Sequence, residues 1–283
     1  MKLQVYFIFL FIIVFFQEGQ SQSQRQKNFP KVVEYVEEMP SPDKLWIFMM
    51  AGQSNMAGRG LVEPQDTISN KRILTIDKEG KWVFAKEPLN FNEPTMAGLD
   101  SGFSFAKTLL DSIPGEISIA LIPCAVGNTS IEQWLKNDTY RGVTLLSNFE
   151  KNVQLAEKYG KIKGILWHQG EANAKAELIP QYAENLQKLT TKMRSIVNKN
   201  SLPILIGQLG SFAQPVEWQH QWDSINAIIE QYAANDENSY VIFTQDLTPK
   251  DDHIHFDSKS QREMGKRYAY KYLKLQNERC VNR

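Results

Sequence analysis

The stretch IFMMAGQSNMAGRG, residues 47–60, joins the pattern of a buried strand to a polar turn. Its first residues are continuously apolar, which is typical of a strand covered on both faces of a sheet. The pattern stops at Gly52, and Gln53, Ser54 and Asn55 follow at once. The Ser54 hydroxyl is therefore either presented at the rim of a sheet or serves only to cap the next helix. The choice depends on whether the rest of the chain supplies partners for a reactive serine.

Four more apolar strand patterns follow the first one along the chain. Together the five lie at residues 44–50, 117–122, 162–167, 203–208 and 240–244. Amphipathic segments lie between them, with helically spaced apolar residues at Leu146, Phe149, Val153 and Ala156, and at Tyr182, Leu186, Leu189, Met193 and Ile196. Buried strands that alternate with such helices predict an α/β domain, in which a central parallel five-stranded sheet lies between two helical layers.

The region 60–98 departs from this alternation. It contains two strand-like runs, RILTI and KWVFA, among turn residues. We predict that this region is an excursion at the rim of the sheet, inside a single domain.

The composition argues against several kinds of partner. Lys+Arg and Asp+Glu are equal at 32 each in 283 residues, so no basic surface that would attract nucleic acid is expected. The sequence contains neither a GxxxxGK[ST] nor a GxGxxG pattern, and it has no CxxC or zinc-binding pattern. We therefore expect no nucleic-acid partner, no cofactor and no metal.

The first residues have the pattern of a targeting segment. Lys2 precedes an apolar run, 3–16, that is too short to cross a hydrocarbon core of ~30 Å at ~1.5 Å per residue. Gly19 and Ser21 are small residues suitably spaced for cleavage after Ser21, so we predict a secretory signal peptide at 1–21. An uncleaved anchor is the alternative. The signal peptide predicts a secreted or periplasmic protein without stable membrane insertion.

The rest of the chain divides into three predicted segments. A polar leader covers 22–42, the folded domain covers 43–276, and a short tail covers 277–283. The chain has two cysteines, Cys124 and Cys280. We favour a buried free thiol at Cys124, and a disulfide between the two is the alternative.

Polar segments follow four of the five strand patterns. After the first, second, third and fifth patterns they are AGQSN, PCAVGNTSIEQW, HQGEAN and DLTPKDDHIHFD. Because ligands bind outside the carboxyl ends of the strands in an open α/β sheet, these segments are expected to meet at one edge. They contain a serine, a histidine, carboxylates and backbone donors, which are the parts that nucleophilic catalysis by serine requires.

Among the four histidines, His255 is the best candidate for the base. Asp252 stands three residues before it, a spacing that brings two side chains together within one turn. The carboxylate can accept the imidazole Nδ1–H and leave Nε2 to take a proton from serine. His253 has Lys250 at the corresponding position. The alternative is a metal site formed by Asp251, Asp252, His253, His255 and Asp257. Such a site would not explain the serine segment.

A helix is predicted directly after this segment. Ser258 and Gln261 fit a capping box, and an apolar stripe follows at Met264, Tyr268 and Tyr272. Such a helix would hold the loop that carries Asp252 and His255 in place.

The motifs GQSNMAG, HQGE and D-x-x-H-F occur in this order and resemble those of the SGNH hydrolase superfamily. More narrowly, the chain is similar over residues 44–274 to carbohydrate esterase family 6 and to sialate O-acetylesterase-type domains. The segment AVGNTSIEQW resembles the second, glycine-containing block of these families. The resemblance implies a three-layer α/β/α, flavodoxin-like fold and a metal-free serine esterase that removes acetyl groups from carbohydrates.

The resemblance also implies a role for individual residues. Ser54 would be the nucleophile and His255 the base. The oxyanion hole would consist of the Ser54 N–H, a backbone N–H around Gly127 and Asn128, and the side chain of Gln169.

The chain departs from the family pattern in two places. Gly127-Asn128-Thr129 stands where Gly-Gly-Thr is frequent, which bears on the identity of the oxyanion donor. Glu171-Ala172-Asn173 stands where Glu-Ser-Asp is frequent, which bears on contacts with the substrate. We predict that the substrate-binding residues beside the motifs are Gln53, Asn55, Thr129, His168 and Asn173.

Two carboxylates are candidates for the acid that orients His255. Asp252 has the favourable local spacing, whereas Glu171 follows the third strand and ends at the same edge. The resemblance implies that a glutamate in this block takes the role of the acid in some family members. We favour Asp252 as the orienting acid and Glu171 as the residue that organises the loop with the oxyanion donors, or as a second acid.

These features predict a secreted serine esterase that acts through an acyl-enzyme on acetylxylan or a similar acetylated glycan. A sialic acid O-acetylesterase is one alternative. A carbohydrate-binding protein without catalysis is another, although the presence of Ser54, Asp252 and His255 argues against it. A lipase would be expected to show an apolar lid, and none is evident in the sequence. An α/β-hydrolase would show a G-x-S-x-G elbow, and the sequence has no such pattern.

Overall fold

A computed structural model describes residues 25–281, so the predicted signal peptide lies outside the described residues, and so does the Cys280 side chain. The α-helices are α1 (Ser54–Ala57), α2 (Gly102–Leu110), α3 (Ile131–Lys136), α4 (Leu145–Ala156), α5 (Ile179–Ile196), α6 (Val216–Asn235) and α7 (Ser258–Val281). The strands are β1 (Leu45–Gly52), β2 (Ile73–Ile76), β3 (Trp82–Phe84), β4 (Ser118–Pro123), β5 (Thr139–Tyr140), β6 (Val143–Thr144), β7 (Lys161–His168), β8 (Ile204–Gly207) and β9 (Ser239–Ile242).

The main sheet has seven strands in the order β3-β2-β4-β1-β7-β8-β9. At its centre β1 pairs in parallel with β4 and with β7, and the pairs β7–β8 and β8–β9 are also parallel. These are the five strands that the apolar runs predict, so the predicted α/β fold with its parallel sheet is confirmed. The carboxyl ends of all five strands therefore reach the same edge.

The predicted number of five strands is wrong, because RILTI and KWVFA also join the sheet. They form β2, which pairs in parallel with β4, and β3, which pairs antiparallel with β2. The side chains of Ile73, Leu74 and Trp82 are buried, and the Thr75 hydroxyl donates to the Leu121 carbonyl at 2.7 Å. Short runs among turns look like an excursion in the sequence, but continuing the sheet is what covers their apolar side chains.

Part of the predicted leader lies along the outer edge of β3. The Val36 N–H donates to the Trp82 carbonyl at 3.0 Å, and the Phe84 N–H donates to the Glu34 carbonyl at 2.9 Å. These bonds occupy backbone groups that an edge strand would otherwise expose. The chain is thus attached to the sheet before β1 begins.

The sheet lies between two helical layers, and β1 contributes side chains to both. Leu45, Ile47 and Met49 belong to the apolar core beneath α3, α4, α5 and α6, whereas Phe48 and Met50 belong to the core beneath α2 and α7. This alternation follows from the two-residue period of a strand. The predicted three-layer arrangement is confirmed.

The start of α7 differs from the predicted capping box at Ser258 and Gln261. The Asp257 carboxylate caps the helix instead, since its Oδ1 accepts from the Ser260 N–H at 2.7 Å. The Ser258 hydroxyl donates to Leu61 O, and Gln261 Nε2 donates to Asn55 O at 3.0 Å. An aspartate directly before a helix is an equally good cap, and it leaves both predicted residues to tie the helix to the loop around α1. The helix runs to Val281, through most of the segment predicted to be a tail.

Cys124 is buried and is a free thiol. Burial raises the pKa of its thiol to about 12, so it stays protonated at neutral pH. Between residues 25 and 281, none of the helices has both the length and the hydrophobicity that crossing a bilayer requires.

Candidate active site

The turn after β1 places Ser54 at the carboxyl edge of the sheet. Gly52 has φ +133°, and a Cβ there would lie 2.1 Å from the His168 carbonyl oxygen, so only glycine fits. The Gln53 N–H donates to the same carbonyl at 2.9 Å. The chain then turns sharply into α1, with Ser54 as its first residue.

A cavity of about 630 Å³ opens at this edge, between the loops that follow the strands. The four polar segments that we expected to meet do line it together. Their residues in the lining are Gln53 and Ser54 after β1, Gly127 and Asn128 after β4, Glu171 and Ala172 after β7, and Ile254 and His255 before α7. Helix α6 closes one side with Trp218 and Trp222.

His255 and Asp252 make the contact that their spacing predicts. His255 Nδ1 lies 2.9 Å from Asp252 Oδ2, while Asp252 Oδ1 accepts from the backbone N–H groups of Ile254 and His255 at 2.9 and 2.8 Å. Burial alone would raise the pKa of Asp252, but these hydrogen bonds hold that pKa well below its ordinary value. Asp252 is therefore ionised at any pH at which a neutral imidazole exists.

Asn55 connects the Glu171 loop to the His255 loop. Its Nδ2 donates to Glu171 Oε1 at 2.6 Å, and its Oδ1 accepts from the Phe256 N–H at 3.1 Å. The side chain is buried and lies beneath the cavity. The prediction that Asn55 binds substrate is thus corrected, because its amide is already engaged by protein groups on both sides.

Glu171 faces the cavity but does not orient His255. Its Oε1 is held by Asn55 and lies 3.8 Å from His168 Nδ1, and its Oε2 has no hydrogen-bond partner among the described residues. Asp252 therefore lies against His255, whereas Glu171 contacts Asn55 and lies near His168.

His168 lies beneath the cavity floor, fully buried at the end of β7. Its Nε2 lies 2.9 Å from the Gln208 carbonyl oxygen, which fixes the ring against β8. Burial lowers the pKa of His168, so the ring is neutral at pH 7. The prediction that His168 contacts substrate is corrected, since the ring faces protein groups.

The predicted oxyanion donors differ in what surrounds them. The Gly127 N–H is directed to Glu93 Oε2 at 2.7 Å, so that donor is already occupied. Gln169 is fully buried, and its Nε2 donates to Asn173 Oδ1 at 2.7 Å and to Thr129 O at 3.1 Å. Both predictions are corrected for this reason.

The backbone N–H groups of Ser54 and Asn128 have no acceptor within the part of the chain that the structure describes. Both residues line the cavity. These two groups are therefore the candidates for an oxyanion hole. Asn128 has φ 61°, a left-handed conformation in which asparagine is more readily accommodated than most residues.

Two further predicted substrate contacts, Thr129 and Asn173, are also internal. The Thr129 hydroxyl donates to Val126 O at 2.8 Å and accepts from Trp134 Nε1 at 3.0 Å. Asn173 Oδ1 accepts from the Ile131 N–H at 2.9 Å. These bonds attach the β4 loop and the β7 loop to α3. Of the five residues predicted to bind substrate, Gln53 is part of the cavity lining.

Several charged residues at the cavity were not predicted from the sequence. Arg59, Arg141 and Lys175 line the cavity, and Trp218 is 48% exposed beside them. Glu93 lies just behind, in contact with Arg59 and Arg141. A signal for Arg59 exists, since it directly follows the GQSNMAG motif, but Arg141, Lys175 and Glu93 lie in loops without a recognisable pattern.

The arrangement of these segments matches a known family of enzymes. A family model described as carbohydrate esterase, sialic acid-specific acetylesterase, matches residues 44–274 of the chain. The chain belongs to this family. It is therefore a carbohydrate esterase, which confirms the predicted class of carboxylic ester hydrolase.

Related proteins and structures agree with this assignment. A probable carbohydrate esterase of Arabidopsis thaliana is 28% identical over an alignment of 246 positions, gaps included, which covers 80% of this chain and 90% of the relative. Its crystal structure has a TM-score of 0.70 at 26% identity, covering 82% of this chain and 99% of that chain.

More distant structures share the fold of this chain. NanS has a TM-score of 0.64 at 16% identity, covering 85% of this chain and 100% of that chain. A carbohydrate acetylesterase of Xanthomonas citri has a TM-score of 0.58 at 18% identity, covering 80% of this chain and 55% of that chain.

Proposed function

We propose that this carbohydrate esterase removes O-acetyl groups from a glycan through an acyl-enzyme formed on Ser54. The observation that carries the proposal is the shared cavity: Ser54 and His255 both line it, and Asp252 holds His255 Nδ1 at 2.9 Å. A serine, a histidine and an orienting carboxylate in one pocket are the parts of an acyl-transfer site.

Each group has a defined task in the proposed reaction. His255 Nε2 takes the Ser54 proton as Oγ attacks the acetyl carbonyl carbon, and the Ser54 and Asn128 N–H groups stabilise the oxyanion. His255 then gives the proton to the departing sugar oxygen, which leaves an acetyl ester on Ser54. Water attacks this ester with the same histidine as base, and acetate and free Ser54 result.

We propose acetylxylan or a similar acetylated glycan as the first substrate candidate. The open cavity, with Trp218 and Trp222 at one side, offers an apolar face on which a sugar ring can stack. Release of acetate from acetylated xylan, measured against the Ser54→Ala variant, tests both the substrate and the chemistry. Equal acetate release by the two proteins would contradict the proposal.

An O-acetylated sialic acid is the second candidate, and the charge of the cavity favours it. Arg59, Arg141 and Lys175 are cations in the lining, and Glu171 is its carboxylate. Glu93, just behind the lining, pairs with both arginines, so Lys175 is the lining cation without a carboxylate partner among the described residues. A sugar that carries its own carboxylate would be attracted to such a lining. The description of the matching family also names sialic acid.

Replacing Lys175 with alanine should distinguish these candidates. Within the described residues Lys175 forms no ion pair with a carboxylate, so its ammonium group is available to a substrate anion. If the substrate is acidic, kcat/KM for O-acetyl sialic acid should fall about tenfold, mostly through KM, because a hydrogen bond to a charged group contributes ~1.5–3 kcal/mol. The activity on acetylated xylan should not change.

Lys188→Ala is the matched control, because Lys188 lies outside the cavity on α5, in contact with Glu184. It should leave both activities unchanged. If Lys175→Ala lowers kcat/KM equally for both substrates, Lys175 does not bind the carboxylate of the substrate.

We also propose that the enzyme is exported after removal of residues 1–21. The proposal is supported by Lys2, the apolar run 3–16 and the small residues Gly19 and Ser21. N-terminal sequencing of the protein secreted by an expressing cell should begin at Gln22. A protein that retains Met1 and stays with the membrane fraction would indicate the uncleaved anchor instead.

A further inference from the structure

The carboxylate of Glu93 lies directly behind the loop that joins β4 to α3. We call this loop, residues 124–130, the oxyanion loop. Glu93 belongs to the region 60–98, and its side chain is 2% exposed. Nothing in the proposed reaction uses Glu93.

Glu93 binds three separate segments at once. Its Oε2 accepts from the Gly127 N–H at 2.7 Å and from Arg59 Nη2 at 2.8 Å, and its Oε1 accepts from Arg141 Nη1. Arg59 is itself anchored by a bond from Nη1 to Gly58 O at 2.8 Å. Burial alone would raise the pKa of Glu93, but the charge of Arg59 and these hydrogen bonds lower it below the ordinary value. Glu93 is therefore a fixed negative charge between two guanidinium groups.

The backbone of Gly127 lies close against this arrangement. A Cβ at Gly127 would lie 2.3 Å from Arg59 Nη2 and 3.0 Å from each carboxylate oxygen of Glu93. The oxyanion loop is thus in direct contact with the ion pair. The Gly127 N–H bond to Glu93 and the close approach of Arg59 therefore both bear on the position of the loop.

The next residue, Asn128, lines the cavity, and its backbone N–H has no acceptor among the described residues. On the other side of Gly127, the Val126 N–H donates to the Gly52 carbonyl at 3.1 Å. The loop is therefore fixed at two successive peptides before the chain enters the left-handed conformation of Asn128. The second of these attachments depends on Glu93 alone.

We propose that Glu93 is a positioning residue, which holds the oxyanion loop through the Gly127 N–H so that the Asn128 N–H points at the developing oxyanion. The inference rests on the proposed function of Ser54 and His255. Glu93 touches no reacting atom, so it acts on the rate through the position of the loop.

Two substitutions at Glu93 test this role by kinetics. Glu93→Ala should lower kcat for acetyl-ester hydrolysis about 10²-fold with KM nearly unchanged, because loss of one oxyanion donor costs ~10²–10³ in rate. Glu93→Gln should lose less, since its amide oxygen can still accept from Gly127. A loss that appears in KM alone, or a kcat for folded Glu93→Ala within twofold of the wild type, would overturn the inference.

Asp236→Asn is the matched control. Asp236 forms a comparable ion pair with the buried Arg194 at 2.7 Å, and neither residue lines the cavity. This variant should unfold at a lower temperature than the wild type and keep its kcat. If Asp236→Asn loses as much kcat as Glu93→Ala, the effect reflects general destabilisation and the positioning role is wrong.

Hydrogen exchange of the peptide that covers 124–130 provides a readout that does not depend on activity. Exchange should be faster in Glu93→Ala than in the wild type and unchanged in Asp236→Asn. Unchanged exchange in Glu93→Ala would overturn the inference even if the enzyme hydrolyses acetyl esters through Ser54. A wild-type protein without esterase activity would instead refute the proposed function, and the exchange result would then still show whether Glu93 holds the loop.

Discussion

Replacing Ser54 with alanine is expected to lower kcat for acetyl-ester hydrolysis by about 10⁴-fold or more, since loss of a catalytic serine removes the covalent route altogether. Ser54 begins α1 at the carboxyl edge of β1, and its side chain lines the cavity beside His255. The decisive measurement is kcat on p-nitrophenyl acetate and on the glycan ester for wild type and variant.

The fold of the Ser54→Ala variant should be intact. The Ser54 hydroxyl makes no hydrogen bond with another described residue, so its removal breaks no contact that supports the fold. Alanine is also compatible with the first turn of a helix. The melting temperature is therefore expected to stay close to that of the wild type. Retention of more than about a tenth of the wild-type kcat would exclude a serine nucleophile at this position.

A matched control separates Ser54 from serines in general. Ser224 is exposed on α6, where its hydroxyl donates to the His220 carbonyl at 2.9 Å, and it lies outside the cavity. Ser224→Ala should keep full activity. A fluorophosphonate should label wild type and Ser224→Ala on the peptide that contains Ser54, and it should leave Ser54→Ala unlabelled.

The fold was predictable because its signals are local. The continuous apolar runs around Ile47 and Ile165 are long enough to define strands by themselves, and parallel packing follows from the helices between them. The strands β2 and β3 carry a weaker signal, since each is short and lies among turns. Their place in the sheet depends on contacts with β4 that only the folded chain supplies.

The same distinction applies to the site. Asp252 and His255 are three positions apart, so their contact could be predicted from spacing. Gln169 and Asn173 sit in the right motif, but their amides turn inward to bind each other. A sequence shows that an amide lies near a site, yet whether it faces the cavity or the core is decided by packing. Buried polar groups need partners, and here those partners are one another.

Glu93 illustrates the limit of pattern-based prediction most clearly. It stands 34 positions before Gly127, in a region whose sequence resembles a surface excursion. Nothing in its neighbourhood indicates that it is buried. The fold brings its carboxylate within hydrogen-bond distance of the Gly127 N–H, from the same region 60–98 that supplies β2 and β3.

Two carboxylates, Asp252 and Glu171, are available to orient His255. Asp252 Oδ2 lies 2.9 Å from His255 Nδ1, and its other oxygen is held by two backbone N–H groups. Glu171 is bound to Asn55 at 2.6 Å and approaches the buried His168 rather than His255. Asp252 is thus in position to fix the tautomer of His255 and to stabilise the imidazolium that forms.

The isosteric changes Asp252→Asn and Glu171→Gln remove one charge each and preserve shape. Asp252→Asn should lower kcat by up to ~10⁴-fold, because an amide can hold the imidazole in the wrong tautomer and cannot stabilise its charge. Glu171→Gln should cost about tenfold or less, since its amide oxygen can still accept from Asn55 and only one hydrogen bond is weakened. The comparison of kcat for both variants at one pH above neutrality decides between them. A crippled Glu171→Gln beside a nearly unaffected Asp252→Asn would make Glu171 the acid of the triad, and the 2.9 Å contact of Asp252 would then be structural.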